Sequence, residues 1–567
     1  MKKDSIYYYI LILLLSLPYL LTLPLDVMDI DSAQYAEITR EMVERKDFIY
    51  LRDNGKQYLD KPIMTFWSIA LSYLIFGIHN YAYRIPAILI TFFSVFFLYK
   101  LSFLLYEDEK KARLSSILYL LSPGLFAMVI DPKTDVYLVA FLIFTYYFYF
   151  SGLKKNKNYY YLMYLSMGLG FITKGPISAV IPAISIGGDI LLRRDWKLLK
   201  EMKLIGGIPI LLFFPLLWSY FLYQEFSFYG PNFFLWIQSF GKITGQGLHA
   251  GGKMNPGFFI SNFSWAFLPF ILPFFMLLFL QLRASIHRAS GFLSFPSYLL
   301  QTIRKNEFPR AHFVIPFWLF LFFSLISLST FQLPQYIFWV LPAASLYTAD
   351  RLVEFFKTET SIKQRLLFYP VLIVSVILIV LIPIYTVDVN SLYYLIPILF
   401  ILFLYLLKDS FEWEILSVSL STLALFIITT LYIYPLLLSY QPAKQVAAVI
   451  KEKEAGKKEF FAYGLSFSKR SYAFYAERLR KSIFDIQTFK KKLIEDKERL
   501  LIVPGKFHFS LKAYLGKEFK LEKVNEFPSY GRIAKPEREF FLKKSRPLLL
   551  DKVYIYKVSL ENDKNAQ

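Results

Sequence analysis

Long hydrophobic runs separated by short polar loops occupy the chain from Ser5 to Ser439, and beyond Gln441 short apolar stretches sit among dense charge. A helix needs about 20 apolar residues to cross the hydrocarbon layer, and fewer where it is packed inside a bundle. Spans are therefore expected at about 5–25, 82–105, 113–130, 134–152, 159–174, 175–192, 204–223, 257–281, 312–330, 335–349, 366–386, 391–407 and 414–439. The expected fold class is an α-helical polytopic membrane protein of about thirteen transmembrane helices. Residues 62–77 (PIMTFWSIALSYLIFG) are apolar but short, which suits a helix lying in the interface. The amphipathic stretch 32–46 predicts a second helix in the same loop. In the tail, Leu500–Val503 and the alternation of Val553–Val558 (VYIYKV) predict strands. Residues 441–567 thus read as a small soluble α/β domain following a membrane domain at 1–440.

The loop charges test this threading. Lys2 and Lys3 precede the first span, Lys110, Lys111 and Arg113 follow the second, and Lys154, Lys155 and Lys157 follow the fourth. Arg193, Arg194, Lys197 and Lys200 follow the sixth, and the series continues through the Arg283–Arg310 loop to Arg351, Lys357, Lys363 and Arg365. Every even-numbered exit is basic, so the positive-inside rule places the N-terminus and these loops in the cytoplasm. An odd number of spans then puts the loops 26–81 and 224–256 and the tail outside. The net charge of +21 is a topology signal of these loops and the tail, not the mark of a nucleic-acid partner. Cysteine is absent, which excludes disulfides and thiolate chemistry. No small-residue cleavage site follows the first apolar run, so a retained anchor is expected.

The candidate chemistry lies in the external segments. Asp31 and Gln34 have the spacing of a helix start, with the carboxylate accepting from first-turn N–H groups and Gln34 reaching back. Capping is the reading the local sequence favours; the functional one, compatible with it, is a general base where the first span meets an external helix. Asp131 (VIDPKTDVYL) and Lys174 (FITKGPIS) are ionisable residues at the ends of apolar spans, where charge marks function. Turn formation by Asp131 and snorkelling by Lys174 are the plainer alternatives. Lys61, between Asp60 and Pro62, suits a lipid phosphate at the start of the interfacial helix, and Arg84 could add a second charge or serve as an interface anchor. Gln332, Gln335 and Tyr336 offer hydrogen-bonding groups to sugar and phosphate at a proline-marked break. His249, in a glycine-rich loop, could hold a divalent ion together with one carboxylate and waters. Asp189, inside the sixth span, is the feature that favours a transporter. Asp31, Asp60, Lys61, Asp131, Lys174, His249 and Tyr336 are all expected on one membrane face.

These motifs resemble those of the bacterial protein O-mannosyltransferase superfamily, and within it the 4-amino-4-deoxy-L-arabinose lipid A transferases. The resemblance runs from Asp29 to about Pro342. It rests on D-x-x-x-YAEI-x-REM from Asp31, YLDKP from Tyr58, RIPA from Arg84, DP…LVA from Asp131, TKGP from Thr173, the IQSF…H loop and SLSTFQLPQY from Ser327. It implies a GT-C type fold in a bacterial cytoplasmic membrane and transfer of a sugar from a polyprenyl-phosphate donor, by inverting displacement. The implied acceptor is lipid A, another glycolipid or a protein hydroxyl, and the protein is expected to be a monomer. By the same resemblance, Asp31 matches the acid that activates the acceptor and Asp131 a second acid at the reaction centre. Tyr58, Lys61 and Tyr336 match residues engaging the carrier phosphate, and Asp60 and His249 match holders of a metal ion, zinc or magnesium. This chain departs from the family at Ser32, where Glu is usual, at Asp60, also usually Glu, at Gln34, where Arg is common, and at Gln332, where Lys is expected. The competing readings are a diphosphate-linked oligosaccharide polymerase or ligase and a lipid or sugar transporter.

Overall fold

The computed structural model describes residues 3–241, 255–329, 331–358, 361–386, 413–484 and 486–561. Helix α1 (Lys3–Leu20) leads to a segment holding α2 (Asp31–Arg45), a hairpin of β1 (Arg52–Asp53) and β2 (Lys56–Gln57), and α3 (Met64–Phe76). The bundle continues with α4 (Asn80–Tyr106), α5 (Glu109–Leu120), α6 (Pro123–Ile130), α7 (Thr134–Lys154), α8 (Tyr159–Lys174), α9 (Ile177–Arg193), α10 (Trp196–Glu201) and α11 (Leu204–Phe226). Among the described residues five helices are long and apolar enough to cross a membrane, and six if α5 and α6 count as one span. The outer wall is apolar where it faces away from the bundle. Ile205, Phe213 and Leu216 of α11 are all exposed, as suits lipid contact. Helices α8 and α11 approach closely at Gly168, where an added Cβ would lie 2.9 Å from the Leu211 carbonyl oxygen.

Several expected spans are broken, and proline is the reason. The span expected at 113–130 is the bent pair α5–α6, turning 51° just before Pro123. The span expected at 257–281 divides into Phe258–Ala266 and Ile271–Arg288 around Pro269. The span expected at 335–349 begins as a 3-10 turn, Pro334–Val340, and becomes an α-helix only from Leu341 to Thr358. The first helix stops at Leu20, ahead of Pro24. The span expected at 391–407 lies outside the described residues.

One end of the bundle is tied by ion pairs. Lys111 binds Asp350 at 2.8 Å, and Asp189 binds Arg193 at 2.6 Å and Arg310 at 2.8 Å. Asp189, fully buried, is thus a clamp within the basic end and not a transport site. At about 1.5 Å per residue, the 27-residue α4 carries the chain some 40 Å from this end to the other. There the tail folds into a mixed five-stranded sheet, ordered β4-β3-β5-β7-β6. Its strands are β3 (Glu459–Ala462), β4 (Leu479–Ser482), β5 (Glu498–Pro504), β6 (Phe519–Ser529) and β7 (Asp551–Leu560). Strands β3, β4 and β5 are parallel, and β7 runs antiparallel to both β5 and β6. Strand alternation buries Phe460, Ile502 and Ile555 on one face and Phe461, Leu501 and Val558 on the other.

This domain is docked on the segment between α1 and α4 by buried polar contacts. Arg470 binds Asp53 at 2.6 Å, and Ser471 donates its backbone N–H and its hydroxyl to Asp29. Gln441 bridges Val27 O and the Asp29 N–H, and Tyr475 Oη accepts from the Val27 N–H at 2.7 Å. The residues leading into Asp31 are therefore positioned by side chains from the tail.

Candidate active site

A cavity of about 920 Å³ opens at this end of the bundle. Asp31 reaches it from the first turn of α2 and Asp131 from the junction between α6 and α7. The expected capping box does not form. Asp31 is the first helical residue and makes no cap bond, while Gln34 donates to Asp53 at 2.7 Å. The charge-assisted bond to the Asp53 carboxylate holds the Gln34 amide away from the helix start, and Asp31 is left to the cavity. Between the two acids lies Lys133, 3.5 Å from Asp31 and 3.4 Å from Asp131. Ser32 donates to Asp131, so the departure at Ser32 places a neutral donor on the second acid. The Asp31 side chain is 41% exposed and that of Asp131 only 10%, so Asp31 is the one an incoming group can reach. Burial pushes the Asp131 carboxyl above its usual range, against the lowering effects of Lys133 and the Ser32 hydrogen bond.

A second charged group faces the pair. Asp60 binds Lys61 at 2.6 Å and accepts from the Gln238 amide. Asp135, in the first turn of α7, takes Lys174 and the Trp339 indole N–H, the latter at 2.7 Å. Lys174 also lies over the rings of Trp339 and Tyr336, 5.0 and 5.3 Å from their centroids. The groups converge on Tyr35, whose phenol is pushed well up by burial first and then by Asp31, Asp60 and Asp135 among others. Lys133, Asp135, Gln238 and Trp339 were not singled out in the sequence. Two of them stand in plain view in IDPKTDVYL, beside the acid that was.

Asp31, Asp60, Lys61, Asp131, Lys174, Gln335 and Tyr336 all line this one cavity. Three expected members do not. Arg84 is fully buried and donates to the carbonyls of Leu25 and Asp26, which anchors the backbone ahead of α2 in place of a phosphate. Tyr58 is buried against Phe66, 6.0 Å between centroids, because α3 folds back over it. Gln332 is spent on the backbone of Asn255 and Ser327. His249 lies outside the described residues. Among the described residues no group of three His, Asp or Glu is arranged to hold a metal, and Asp60 is already engaged by Lys61 and Gln238. The described residues thus do not complete the expected metal site.

Away from the charges, the cavity wall is apolar. Ile177, Val180 and Ile184 of α9 and Leu321, Phe322 and Leu325 of the neighbouring helix Ala311–Ser327 line it, an apolar slot at these two helices beside Lys174. Residues 60–218 match the family model described as dolichyl-phosphate-mannose-protein mannosyltransferase. The chain is also similar to ArnT from Cupriavidus metallidurans bound to undecaprenyl phosphate, with a TM-score of 0.75, 16% identity, and coverage of 97% of this chain and 98% of that one. The chain has the fold of that protein. In sequence it is 31% identical over 223 residues to the undecaprenyl phosphate-alpha-4-amino-4-deoxy-L-arabinose arabinosyl transferase of Yersinia enterocolitica, spanning 39% of that relative's length. An uncharacterized protein of Aquifex aeolicus is 26% identical over 446 residues, which cover 78% of this chain and 81% of the relative. The resemblance read from the motifs is thus borne out: the chain is similar to the arabinose transferases.

Proposed function

We propose that the protein is a glycosyltransferase that moves a sugar from a polyprenyl-phosphate donor to an extracytoplasmic acceptor. The observation that carries this reading is the continuity of one cavity from an apolar slot between helices to Lys61 and Lys174, and on to two acids bridged by Lys133. The slot would take the polyprenyl chain, as the structure of ArnT bound to undecaprenyl phosphate supports. Lys61 and Lys174 would meet the carrier phosphate, with Tyr336 and Gln335 beside it.

The acceptor O–H gives its proton to Asp31 while its oxygen bonds to the anomeric carbon. The bond from that carbon to the phosphate oxygen breaks, and its electron pair leaves with the polyprenyl phosphate, inverting the configuration. The leaving group is a phosphate, so cationic stabilisation by the lysines matters more than protonation by an acid. No step is assigned to a metal ion. We further propose a glycolipid such as lipid A as acceptor, ahead of a protein hydroxyl, and a monomer in the bacterial cytoplasmic membrane with the cavity facing outward. Basic residues collected at the opposite end support that orientation.

The test is transfer by purified protein from a polyprenyl-phosphate sugar, followed by release of free polyprenyl phosphate. Asp31→Asn should lower the rate by about 10²–10⁴ with the thermal unfolding midpoint unchanged. Undiminished transfer in that variant would remove Asp31 as the base. Movement of sugar lipid across a vesicle membrane without release of polyprenyl phosphate would instead establish a transporter.

A further inference from the structure

One charged side chain in the cavity comes from the far end of the chain. Strand β6 runs directly into a turn whose residues Ala534 and Lys535 line the cavity. The turn is pinned to the membrane bundle on both sides of Lys535. Ahead of it, the Tyr530 N–H donates to the Tyr440 carbonyl at 2.9 Å, and Ile533 is buried in the bundle core. Behind it, Phe540 is buried between Tyr530 and Tyr440, with centroids 4.3 and 5.6 Å away. The Glu537 N–H closes the segment on Tyr530 Oη at 3.0 Å, and the Lys535 N–H closes the turn itself on Arg532 O at 2.9 Å. Lys535 is thus delivered by a fixed loop.

No described residue neutralises its charge. Four lysines and four aspartates line the cavity. Lys133 holds Asp31 and Asp131, Lys61 holds Asp60, and Lys174 holds Asp135. Every aspartate is taken by one of those three, and the exposed Lys535 ammonium has no partner among the described residues. An ammonium held without a counter-charge at the rim of a cavity whose acids are all engaged is a site for an incoming anion.

We infer that Lys535 binds an anionic group, a phosphate, on the acceptor, and so gives the C-terminal domain a direct part in choosing what is glycosylated. This rests on the transferase reading above, in which the carrier phosphate has Lys61 and Lys174. Lys535 enters instead with the domain, on the side where Tyr434 donates to the Met28 sulfur.

The experiment uses full-length protein in detergent, a polyprenyl-phosphate sugar, and a phosphorylated glycolipid beside its dephosphorylated form. Lys535→Ala should raise KM for the phosphorylated acceptor about tenfold, leave donor KM unchanged, and make the two acceptors nearly equivalent. Lys535→Arg should restore the preference. Lys535→Gln keeps most of the stem and should behave as Lys535→Ala, which guards against a folding defect in either. An unchanged acceptor KM overturns the inference, and so does a rise in donor KM alone, which would place Lys535 on the carrier phosphate. If the wild type transfers nothing, the transferase reading fails on its own. Direct binding of the phosphorylated glycolipid to wild type and Lys535→Ala then decides the point: equal affinities overturn the role of Lys535, and an approximately tenfold loss sustains it.

Discussion

Lys133 bridges the two acids, and replacing it with glutamine tests whether that bridge sets the working pH. The ammonium lies 3.4 Å from Asp131. At that distance a unit charge pair is worth about 1 kcal/mol at the dielectric of water and about 5 kcal/mol at an effective value near 20. Lys133 is 28% exposed, so water screens part of the attraction and the lower half of that range applies. One pKa unit corresponds to about 1.4 kcal/mol, which gives an expected shift of about 1–2 units. The sign follows from the charge. Asp131 is already raised by burial, and Lys133 is the main group lowering it. Without the lysine the carboxyl keeps its proton to higher pH, and because ionised Asp131 is the second acid of the Lys133-bridged pair beside the Asp31 base, the low-pH limb of the transfer rate moves up in the same direction. The assay is kcat/KM against pH for wild type, Lys133→Gln and Lys133→Arg, with thermal unfolding as the control for folding. Arginine should hold the limb near its original position. A low-pH limb that stays in place in a well-folded Lys133→Gln protein refutes the reasoning.

Three further outcomes follow from other contacts. Arg84→Gln should lower the thermal unfolding midpoint and leave donor KM in the surviving active fraction unchanged, since Arg84 binds backbone carbonyls; a raised donor KM would return it to the phosphate site. Arg470→Ala leaves the buried Asp53 without its cation, with the Gln34 amide still donating to it, and should weaken domain docking by about 3 kcal/mol, read as faster protease cleavage between the membrane bundle and the tail. Glu41, buried beside Glu37, is pushed up to about 7 by burial first and by Glu37 second, and so keeps its proton in the folded protein after the unfolded chain has lost it. Its contribution to stability is therefore greatest below the ordinary carboxylate range and falls as pH rises through about 7. Glu41→Gln should flatten that slope in a series of unfolding midpoints.

Much of the site was legible because topology sorts residues before chemistry does. Asp31, Asp60, Lys61, Asp131, Lys174 and Tyr336 come from five separate stretches of chain, yet all stand at the same end of the bundle, which closes them around one cavity. The fold class followed from the same long apolar runs. What the sequence does not reveal, or places in the site wrongly, has three physical causes. Asp135 and Lys133 sit at the start of a helix, where charges are common for capping reasons, so nothing local separates them from a well-solvated first turn. Arg84 and Gln332 are satisfied by backbone carbonyls, which no side-chain pattern reveals. Lys535 lies beyond the whole membrane domain, and only the seating of Ile533 and Phe540 against the bundle brings it to the cavity.

The seating of Asp29 and Asp53 against the tail has a consequence for how such proteins diversify. The two acids belong to the loop that leads into the reaction centre, and their partners, Ser471 and Arg470, are adjacent residues more than four hundred positions away. A tail exchanged between relatives brings its own residues to those two positions, and a mismatch leaves a buried carboxylate without its donor. Positions 29 and 471, and 53 and 470, are therefore expected to vary in concert among homologues. A chimera built by joining one protein's bundle to another's tail at Gln441 should fold only when both pairs are carried across intact.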